Sequence, residues 1–231
     1  MSKTQSLPLY IQISEMLIRD IQAGRLLDGA RLPPERDMAN DLGISVGTLR
    51  KALAELTEKE LLVRRQGSGN YVQHGSGADS VYAFFRLELI RGGGLPTADV
   101  ISVVTMAKPG DLPEFGQSWM AHRIRRLRRL NGRPAALEEI WLDASYTSAL
   151  SANELSESLY YYYRHKLGLR IQRAEDRIGV GFAPDWGARY LPLESAAGQV
   201  DRISWDQNNV AAEVSRTWFD TVNVRYVVRI K

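Results

Sequence analysis

The strongest constraint on the fold is a pair of short helical segments near the N-terminus, joined by only a few residues. The first is predicted to begin at Pro34, because proline suits the first helical position, and to end at Gly43. The second is predicted to run from Ser45, a favourable N-cap residue, to about Lys59. The connection Leu42-Gly43-Ile44-Ser45 places a glycine where the chain must bend sharply. The spacing therefore predicts a helix-turn-helix.

The segments on either side extend this motif. Pro8 to about Ala23 carries apolar residues at spacings of three and four, which predicts an amphipathic helix. After the motif, Leu61–Arg65 and Asn70–Val72 are predicted strands, and Gln66-Gly67-Ser68-Gly69 is the turn between them. A two-stranded ribbon that follows a helix-turn-helix is a wing. The front of the chain is therefore predicted to be a DNA-binding winged helix.

Net charge does not reveal this function. The whole chain has a formal charge of +3, and its first 74 residues carry ten Lys or Arg and nine Asp or Glu, which gives 10 − 9 = +1. A strongly basic surface is the usual footprint of a nucleic-acid binder, and it is missing from this count. The prediction depends on how the residues are arranged.

Composition indicates the cellular compartment in which the protein is expected. The chain has no cysteine, which excludes disulfides and cysteine-ligated metals. The segment Met1–Leu9 lacks the apolar core of a signal peptide, and no apolar run reaches the roughly 18 residues of a transmembrane helix. We expect a cytoplasmic protein with no membrane segment.

The second helix of the motif would enter the major groove with its N-terminal residues. Arg50 could bind a guanine or a phosphate, and Thr48 could bind a phosphate or a base edge. Arg36, early in the preceding helix, could contact the DNA backbone or a groove, and the wing glycines allow close backbone approach. The predicted DNA-binding residues are Arg36, Ser45, Thr48, Arg50, Arg64, Arg65, Gln66, Gly67 and Gly69. The alternative for the four arginines is solvated surface charge.

Residues spread over about 65 positions of the front part form a further pattern. It consists of Pro8-Leu9-Tyr10, Gly24, Gly29, Leu32-Pro33-Pro34-Glu35-Arg36, Leu42-Gly43-Ile44-Ser45, Thr48-Leu49-Arg50, Ala52-Leu53, Leu56 and Gly67-x-Gly69-x-x-Val72. This pattern resembles the winged helix of the GntR family. The resemblance implies a bacterial transcription regulator that binds a pseudo-palindromic double-stranded DNA operator as a homodimer. Many members carry arginine where this chain has Val46, so Val46-Gly47 departs from the usual base reader and leaves the operator sequence open.

The rest of the chain has a different character. Residues His74–Ser80 are small, polar and glycine-rich, which is typical of a flexible linker. Beyond them, strand-like segments alternate with a hairpin signal at Asn131-Gly132 and few helical stretches. The predicted helices are Asn153–Lys166 and Asp185–Leu191, and the predicted strands are Val81–Ile90, Val100–Ala107, Ala121–Leu130, Pro134–Leu142, Leu169–Val180, Gln199–Asp206, Val210–Asp220 and Tyr226–Ile230. The chain is thus predicted to be α+β, with a DNA-binding domain over 1–74, a linker over 75–82 and an antiparallel sheet domain over 83–231.

One segment of this rear domain is unusually basic. Residues Arg123 to Leu130 hold five arginines with no acid among them. Because side chains alternate along a strand, Arg126 and Arg128 would share one face. Two guanidinium groups on one face suit an anion. The alternatives are a polar outer face and a second DNA-binding patch.

A second pattern runs through about residues 84–230. It consists of Arg126-Leu127-Arg128, Asn131-Gly132-x-Pro134-x-Ala136-Leu137-Glu138, Ser158-Leu159-Tyr160, Leu167-Gly168-Leu169, Ala174-Glu175 and Glu213-x-Ser215-x-x-x-Phe219. This pattern resembles the UTRA ligand-sensing domain, which defines the HutC subfamily of GntR regulators and is similar to the chorismate lyase fold, a six-stranded antiparallel sheet with helices. The resemblance implies an effector pocket formed by Arg126, Arg128, Glu138, Ser158, Tyr160, Glu213 and Phe219. In it, the arginines, Ser158 and Tyr160 would bind an anionic or acceptor group, the two glutamates would accept hydrogen bonds from hydroxyls or an amine, and Phe219, often tyrosine in the family, would form a wall.

Several of these residues also have a purely structural interpretation. Glu138 could simply pair with an arginine, Ser158 could cap a helix, and some rings of Tyr160–Tyr163 must belong to the core. The effector itself is left open among sugar phosphates, amino-acid catabolites and phosphonate-type anions.

The alternative function is an enzyme of chorismate-lyase-like fold fused to a DNA-binding module. The residues that could act in catalysis do not favour an enzyme. The three histidines have no metal-ligand spacing, and no segment matches a nucleophile elbow or a phosphate-binding loop. We therefore expect no catalytic residue, no metal and no cofactor.

Overall fold

The N-terminal part of the chain folds into three helices and a hairpin. These elements are α1 (Leu9–Gln22), α2 (Glu35–Asp41), α3 (Val46–Glu58), β1 (Leu62–Arg65) and β2 (Gly69–Val72). The structure is a computed structural model that describes residues 6–73, 80, 82, 84–191 and 196–229. Its chain divides into two compact units, Leu7–Phe85 and Arg86–Val227.

The sequence pattern explains this front unit. The apolar faces of the three helices meet in one core with the ends of the hairpin, and Ile18, Leu49 and Leu56 are completely buried in it. Gly43 adopts a φ of 64°, a left-handed conformation that glycine takes without strain, and it bends the chain between α2 and α3. The helix-turn-helix and wing are confirmed as predicted, with one shift: Pro34 is the N-cap of α2, and the first helical residue is Glu35.

A short segment before α2 pairs with the hairpin and completes the wing. The backbone N–H of Leu32 donates to the carbonyl of Asn70, and that of Val72 donates to the carbonyl of Ala30, both at 2.9 Å. Residue Arg31 forms an isolated bridge with Tyr71 between these two bonds. β2 of the wing is thus paired on both sides, with β1 and with the segment around Arg31.

Residues 74–79 and 81 of the predicted linker lie outside the described residues. Of its other positions, Ser80 is buried and hydrogen-bonds to the carboxylate of Glu15 on α1. Further along, the guanidinium of Arg19 lies 5.1 Å from the centre of the Phe85 ring. Ser80 and Phe85 therefore contact α1 of the front unit.

The second unit is built on one six-stranded antiparallel sheet, in the order β4-β5-β6-β9-β8-β7, with a small β3–β10 pair beside it. Its strands are β3 (Leu87–Leu89), β4 (Pro96–Ala107), β5 (Met120–Leu130), β6 (Arg133–Asp143), β7 (Ile171–Gly181), β8 (Ala197–Asp206), β9 (Ala211–Phe219) and β10 (Val224–Tyr226). The Asn131-Gly132 turn joins β5 to β6 with φ values of 50° and 75°, as a tight hairpin requires. The α+β fold class is confirmed.

Two predicted elements are shorter than expected. The helix predicted from Asn153 begins only at Leu159, as α4 (Leu159–Tyr162), and continues as a π-helical turn over Tyr163–Leu167. The start is late because Ser158 has an extended backbone and its hydroxyl accepts the N–H of Tyr161, which caps the helix there. Asp185–Gly187 is a single 3-10 turn, shorter than the predicted helix to Leu191.

The predicted strands at the two ends of the second unit are also short. Among the described residues of the strand predicted over Val81–Ile90, which exclude 81 and 83, only Leu87–Leu89 is a regular strand. The closing strand ends at Tyr226, with which it was predicted to begin.

The register of the sheet separates two faces that we name by their contents. Residues paired across neighbouring strands point to the same side, so Arg126, Glu138, Thr217, Val200 and Ile178 share one face, the cluster face. The opposite face, the groove face, carries Leu127, Leu137 and Trp218, which pack against Trp186 in the 3-10 turn.

Candidate functional site

The DNA-binding candidates on α3 are arranged around Glu35 at the start of α2. The Nε of Arg50 lies 2.6 Å from the carboxylate of Glu35, yet the Arg50 side chain is 64% exposed. The hydrogen bond from Arg50 is the main reason that the pKa of Glu35 is lowered, and Asn70 of the wing also bonds to this carboxylate. Glu35 therefore links the exposed arginine of α3 to β2 and fixes the direction in which Arg50 projects.

The first turn of α3 is organised by its cap. The Ser45 hydroxyl accepts the N–H of Thr48 at 3.1 Å and lies 2.8 Å from the Thr48 hydroxyl. Val46 packs partly against the core of the front unit, so this position contributes to packing as well as to the surface. The structure thus explains why an apolar residue is compatible with the position at which the family often carries arginine.

The wing presents a basic edge. Gly67 and Gly69 have φ values of 70° and 123°, so both turn positions favour glycine. The guanidinium of Arg65 lies 4.5 Å from the centre of the Tyr71 ring, and the hydroxyl of Tyr71 is 2.6 Å from that of Ser68. The remaining predicted side chains, Arg36, Arg64 and Gln66, are all exposed.

One neighbour of the wing was missed in the sequence. The Nε of Arg31 would lie 3.4 Å from a Cβ at Gly69, so this exposed guanidinium lies directly beside the wing turn. The only available signal was its place just before Leu32-Pro33-Pro34, which does not reveal that the segment pairs with β2.

In the second unit, Arg126, Arg128 and Glu138 form a buried charged group on the cluster face. Arg126 donates to one oxygen of Glu138 from Nε at 3.0 Å and from Nη2 at 2.6 Å, and Arg128 Nε is 3.5 Å from the other oxygen. Both arginines also donate to the carbonyl of Glu157, at 3.4 and 2.9 Å. Burial raises the pKa of Glu138, but the charges of the two arginines outweigh it and the pKa is lowered. Glu138 is therefore ionised and paired at neutral pH.

A second buried group surrounds Glu213 on β9. Tyr160 and Tyr163 donate to its two oxygens at 3.2 and 2.7 Å, and the Ser204 hydroxyl lies 3.0 Å from that of Tyr160. Burial raises the pKa of Glu213, although the bond from Tyr163 and the charge of Arg202 act against it. The two carboxylates of the cluster face are thus in different environments, one paired with arginines and the other held by neutral hydroxyls.

Arg202 of β8 connects this group to the edge of the sheet and was not predicted. It donates to Asp176 from Nε at 2.5 Å and from Nη2 at 2.6 Å, and Tyr226 also hydrogen-bonds to Asp176. Burial acts against the charged form of Arg202, but the hydrogen bonds that Arg202 donates to Asp176 and the neighbouring Tyr160 raise its pKa. No local sequence pattern indicates this contact, because Asp176 and Arg202 lie on different strands, 26 residues apart.

The other predicted pocket residues have the following places. The hydroxyl of Ser158 caps α4, as in its structural interpretation. Phe219 is buried on the cluster face, where a Cβ on Gly198 would collide with its ring at 2.2 Å. All seven residues therefore lie on the cluster face or at α4, which contacts that face through Tyr160 and Tyr163. For Arg126 and Arg128, burial does not fit the alternatives of a polar outer face or a second DNA-binding patch.

A separate groove of about 510 Å³ lies mainly along the groove face, over β7, β8 and β9. Its lining includes Arg177, Arg216 and Trp218, and Arg202 is the one residue that it shares with the groups described above. None of the seven predicted effector residues lines it.

Within the described residues, no group of three His, Asp or Glu side chains could hold a metal ion. The buried His122 is bonded to Thr105 on one side and to the carbonyl of Thr147 on the other, so it contributes to packing. None of the helices in the described part of the chain has the length and hydropathy needed to cross a bilayer.

Comparison with known proteins assigns both units. Residues 9–72 match the family described as bacterial regulatory proteins, gntR family, and residues 92–225 match the UTRA domain. The chain is 59% identical to the HTH-type transcriptional regulator SmoD of Agrobacterium fabrum, over 98% of this chain and 97% of that protein. It is 28% identical to the histidine utilization repressor of Pseudomonas putida, over 68% of this chain and 65% of that protein.

A solved structure shows the same fold. The possible transcriptional regulator YydK of Bacillus subtilis, at 22% identity, covers 97% of this chain and 100% of its own with a TM-score of 0.55. Because these relatives are transcription regulators, the prediction that the chain is not a lyase-like enzyme is also confirmed. The chain belongs to the GntR family of bacterial DNA-binding transcription regulators, in the HutC type that carries a UTRA domain.

Proposed function

We propose that this regulator is a homodimeric repressor that binds a pseudo-palindromic operator and responds to a small anionic metabolite bound on the cluster face. The observation that carries the proposal is that two guanidinium and two carboxylate side chains are buried on the same face of one sheet, in the Glu138 group and the Glu213 group. Arg126 and Arg128 are only 4% and 2% exposed, and Glu138 and Glu213 are 8% and 3% exposed.

Such a group is difficult to explain by stability alone. Removing charges from water is costly, and well-packed apolar residues are often as stable as a buried ion pair or more so. Guanidinium groups bind carboxylate, phosphate and similar anions through paired hydrogen bonds. The charged group therefore supports recognition of a ligand with an anionic end.

The Glu213 group supports a second part of the ligand. Its carboxylate is held by Tyr160 and Tyr163, and these hydroxyls can exchange partners with a ligand hydroxyl or amine. The proposed effector thus has an anionic group near the arginines and a hydrogen-bonding group near Glu213. Ser158 and Phe219 would border the ligand at α4 and at β9.

For DNA binding, we assign base or phosphate contacts to Arg50 and Thr48, and backbone contacts to Arg36, Arg64, Arg65 and the wing residues Gln66, Gly67 and Gly69. Ser45 acts through the cap that positions Thr48. Repression, rather than activation, is favoured because the Pseudomonas putida relative is a repressor. The domain limits that we propose are 1–74, a linker over 75–82, and 83–231.

The effector must bind one arrangement of the dimer more tightly than the other, because a ligand with equal affinity for both shifts nothing. The test is operator binding by the full chain, measured with DNA from upstream of its own gene and a panel of sugar phosphates, amino-acid catabolites and phosphonates. We expect at least one anionic compound to weaken operator binding and to raise the melting temperature of the protein.

Two variants and a control sharpen this test. Arg128→Lys keeps the buried charge but loses the forked geometry, and Arg126→Met loses both. At a temperature below the lowered melting temperature of Arg126→Met, we expect each variant to bind the operator while its response to the anion is lost. Arg133→Met changes an exposed arginine beside the hairpin turn and should respond normally. Loss of operator binding in the Arg128→Lys variant, with the fold intact, would contradict the proposed division of roles.

A further inference from the structure

The two edge strands of the six-stranded sheet, β4 and β7, differ in the solvent exposure of their side chains. At one edge, β4 begins at Pro96 and most of its residues are buried or half-buried, with Val104 its one exposed large apolar side chain. At the other edge, β7 is exposed along most of its length. Ile178 and Val180 on β7 are 57% and 79% exposed, and Phe182 follows directly at 84%.

An exposed edge strand offers a row of backbone N–H and carbonyl groups on which another strand can pair. Natural proteins usually protect such an edge with lysine, proline or a short strand. β7 has eleven residues with neither lysine nor proline; its charged residues lie within its first seven positions, and its last four, Ile178–Gly181, are apolar. Its backbone and side chains therefore favour an extended partner.

The sequence of β7 is complementary to itself. If two copies run antiparallel about a two-fold axis at Asp176, the middle of the strand, then Glu175 faces Arg177 of the second copy, and Arg177 faces Glu175. On the other side of the strand, Ala174 faces Ile178 in the same way. The segment Arg173–Gly179 that would pair is regular, because the register shift of β7 lies before Arg173.

The charges at the axis are also compatible with this arrangement. The two Asp176 side chains would meet there, but each is bonded twice by Arg202 of its own chain, at 2.5 and 2.6 Å, and once more by Tyr226. Glu175 and Arg177 are exposed and at present bond to each other at 3.1 Å, so both can exchange partners without loss of a buried contact.

We propose that two copies of this chain associate through β7, antiparallel and centred on Asp176, to form one continuous twelve-stranded sheet. This inference rests on the homodimer of the proposed function and names the surface that forms it. The two-fold axis of such a sheet would also relate the two DNA-reading units, as a pseudo-palindromic operator requires.

Cysteine cross-linking tests the register, because the chain has no cysteine of its own. In the variant Ala174→Cys/Ile178→Cys, the two thiols of one chain are four strand positions apart, about 13 Å, and cannot form a disulfide with each other. In the proposed dimer each cysteine faces the other residue of the second copy. We expect a covalent dimer on a non-reducing gel for the double variant and little for either single variant, at equal protein concentration.

Charge reversal tests the contact without a covalent bond. The dimer dissociation constant of the full chain, from sedimentation equilibrium, should rise about tenfold for Glu175→Arg, since two opposite-charge pairs become two like-charge pairs. It should return towards the wild-type value in Glu175→Arg/Arg177→Glu. Ile178→Lys should also weaken the dimer, while the control Val104→Lys on the other edge should not. Circular dichroism and melting of each variant separate dissociation from unfolding.

The outcomes distinguish this inference from the function on which it rests. A wild-type dimer that is unaffected by the β7 variants, or single cysteine variants that cross-link as well as the double one, would overturn the β7 interface and leave the homodimeric repressor intact. A wild-type chain that is monomeric both free and on its operator would overturn both.

Discussion

Replacing Arg126 by methionine should strongly destabilise the second unit, because it removes the arginine that donates two hydrogen bonds to the buried carboxylate of Glu138. Arg126 donates two hydrogen bonds to Glu138 and one to the carbonyl of Glu157. After the change, the remaining charged partner of Glu138 described above is Arg128, whose Nε lies 3.5 Å away. Breaking a buried pair by removing one partner costs about 3–5 kcal/mol of unfolding free energy. For a unit of this size that corresponds to a fall in melting temperature of about 10 °C.

Tryptophan fluorescence makes this measurement specific to one unit. All five tryptophans, at positions 119, 141, 186, 205 and 218, lie in the second unit, so their emission during urea unfolding reports on that unit alone. A second variant, Arg126→Met/Glu138→Gln, removes the uncompensated charge while retaining an amide that can accept from Arg128. We expect it to recover a large part of the lost stability.

The pH dependence gives an independent check. The pKa of Glu138 is lowered in the folded state, so the pair stabilises the fold above the unfolded value of 4.5, and this contribution disappears as the pH falls through the lower folded value. The difference in the free energy of unfolding between wild type and Arg126→Met should therefore become smaller as the pH falls below 4.5. A cost of less than about 1 kcal/mol at pH 7 is typical of solvent-exposed pairs and would refute the claim that the pair is buried. A double variant no more stable than Arg126→Met would refute the role of the uncompensated charge.

Three further predictions concern single contacts. Arg50→Ala should weaken operator binding by about 1–3 kcal/mol in a fluorescence-anisotropy titration, and Glu35→Gln should weaken it less, because Arg50 then keeps its charge but loses its orienting partner; equal binding by wild type and Arg50→Ala would show that α3 is not the reading helix. Ser45→Ala should lower the stability of the front unit by about 1 kcal/mol, seen as helix loss by circular dichroism, since the cap of α3 is removed; an unchanged melting curve would contradict that role of the cap. Because the folded pKa of Glu213 is raised, its ionisation costs stability as the pH rises above 4.5, so Glu213→Gln should melt at a higher temperature than wild type at pH 7 and at a similar one near pH 4; a variant less stable at both pH values would contradict this.

The front unit could be predicted almost residue by residue because its signals are local. A helix is specified by apolar spacing within a few turns, a cap by one serine, and a turn by one glycine, and each of these signals acts on neighbouring residues of the same segment. The ion pair between Arg50 and Glu35, which orients Arg50 on the predicted DNA-binding face, joins two different helices. Glu35 and Arg50 are 15 residues apart on separate helices, and each alone has the appearance of ordinary surface charge.

In the second unit, the strands and the Asn131-Gly132 hairpin followed from alternation and turn residues, while the helix predicted from Asn153 was wrong over its first six residues. The helix-favouring residues of that stretch led to a predicted start at Asn153. The serine that caps the helix, Ser158, was not recognised as the point at which it begins. In the structure, the carbonyl of Glu157 accepts hydrogen bonds from Arg126 and Arg128. This carbonyl is available to the arginines because the backbone at Ser158, just before α4, is extended and not helical. A contact with a strand 30 residues away thus decides where the helix begins.

The arginine run of β5 shows most clearly what a sequence pattern leaves out. Within Arg123–Leu130 there is no acid, which suggested arginines available for a ligand or for DNA. The sheet supplies the acids from the neighbouring strands: Glu138 and Glu139 of β6 pair with Arg126 and Arg125, and Asp99 of β4 pairs with Arg129. Alternation correctly separated the two faces, but only the register shows which face is buried and which carboxylates lie there. The same register gives Arg126 and Arg128 a shared partner in Glu138, so the proposed anionic effector would bind beside or in place of an existing ion pair. Its affinity then depends on the difference between two sets of charged hydrogen bonds, and a modest change in ligand geometry can decide whether it binds.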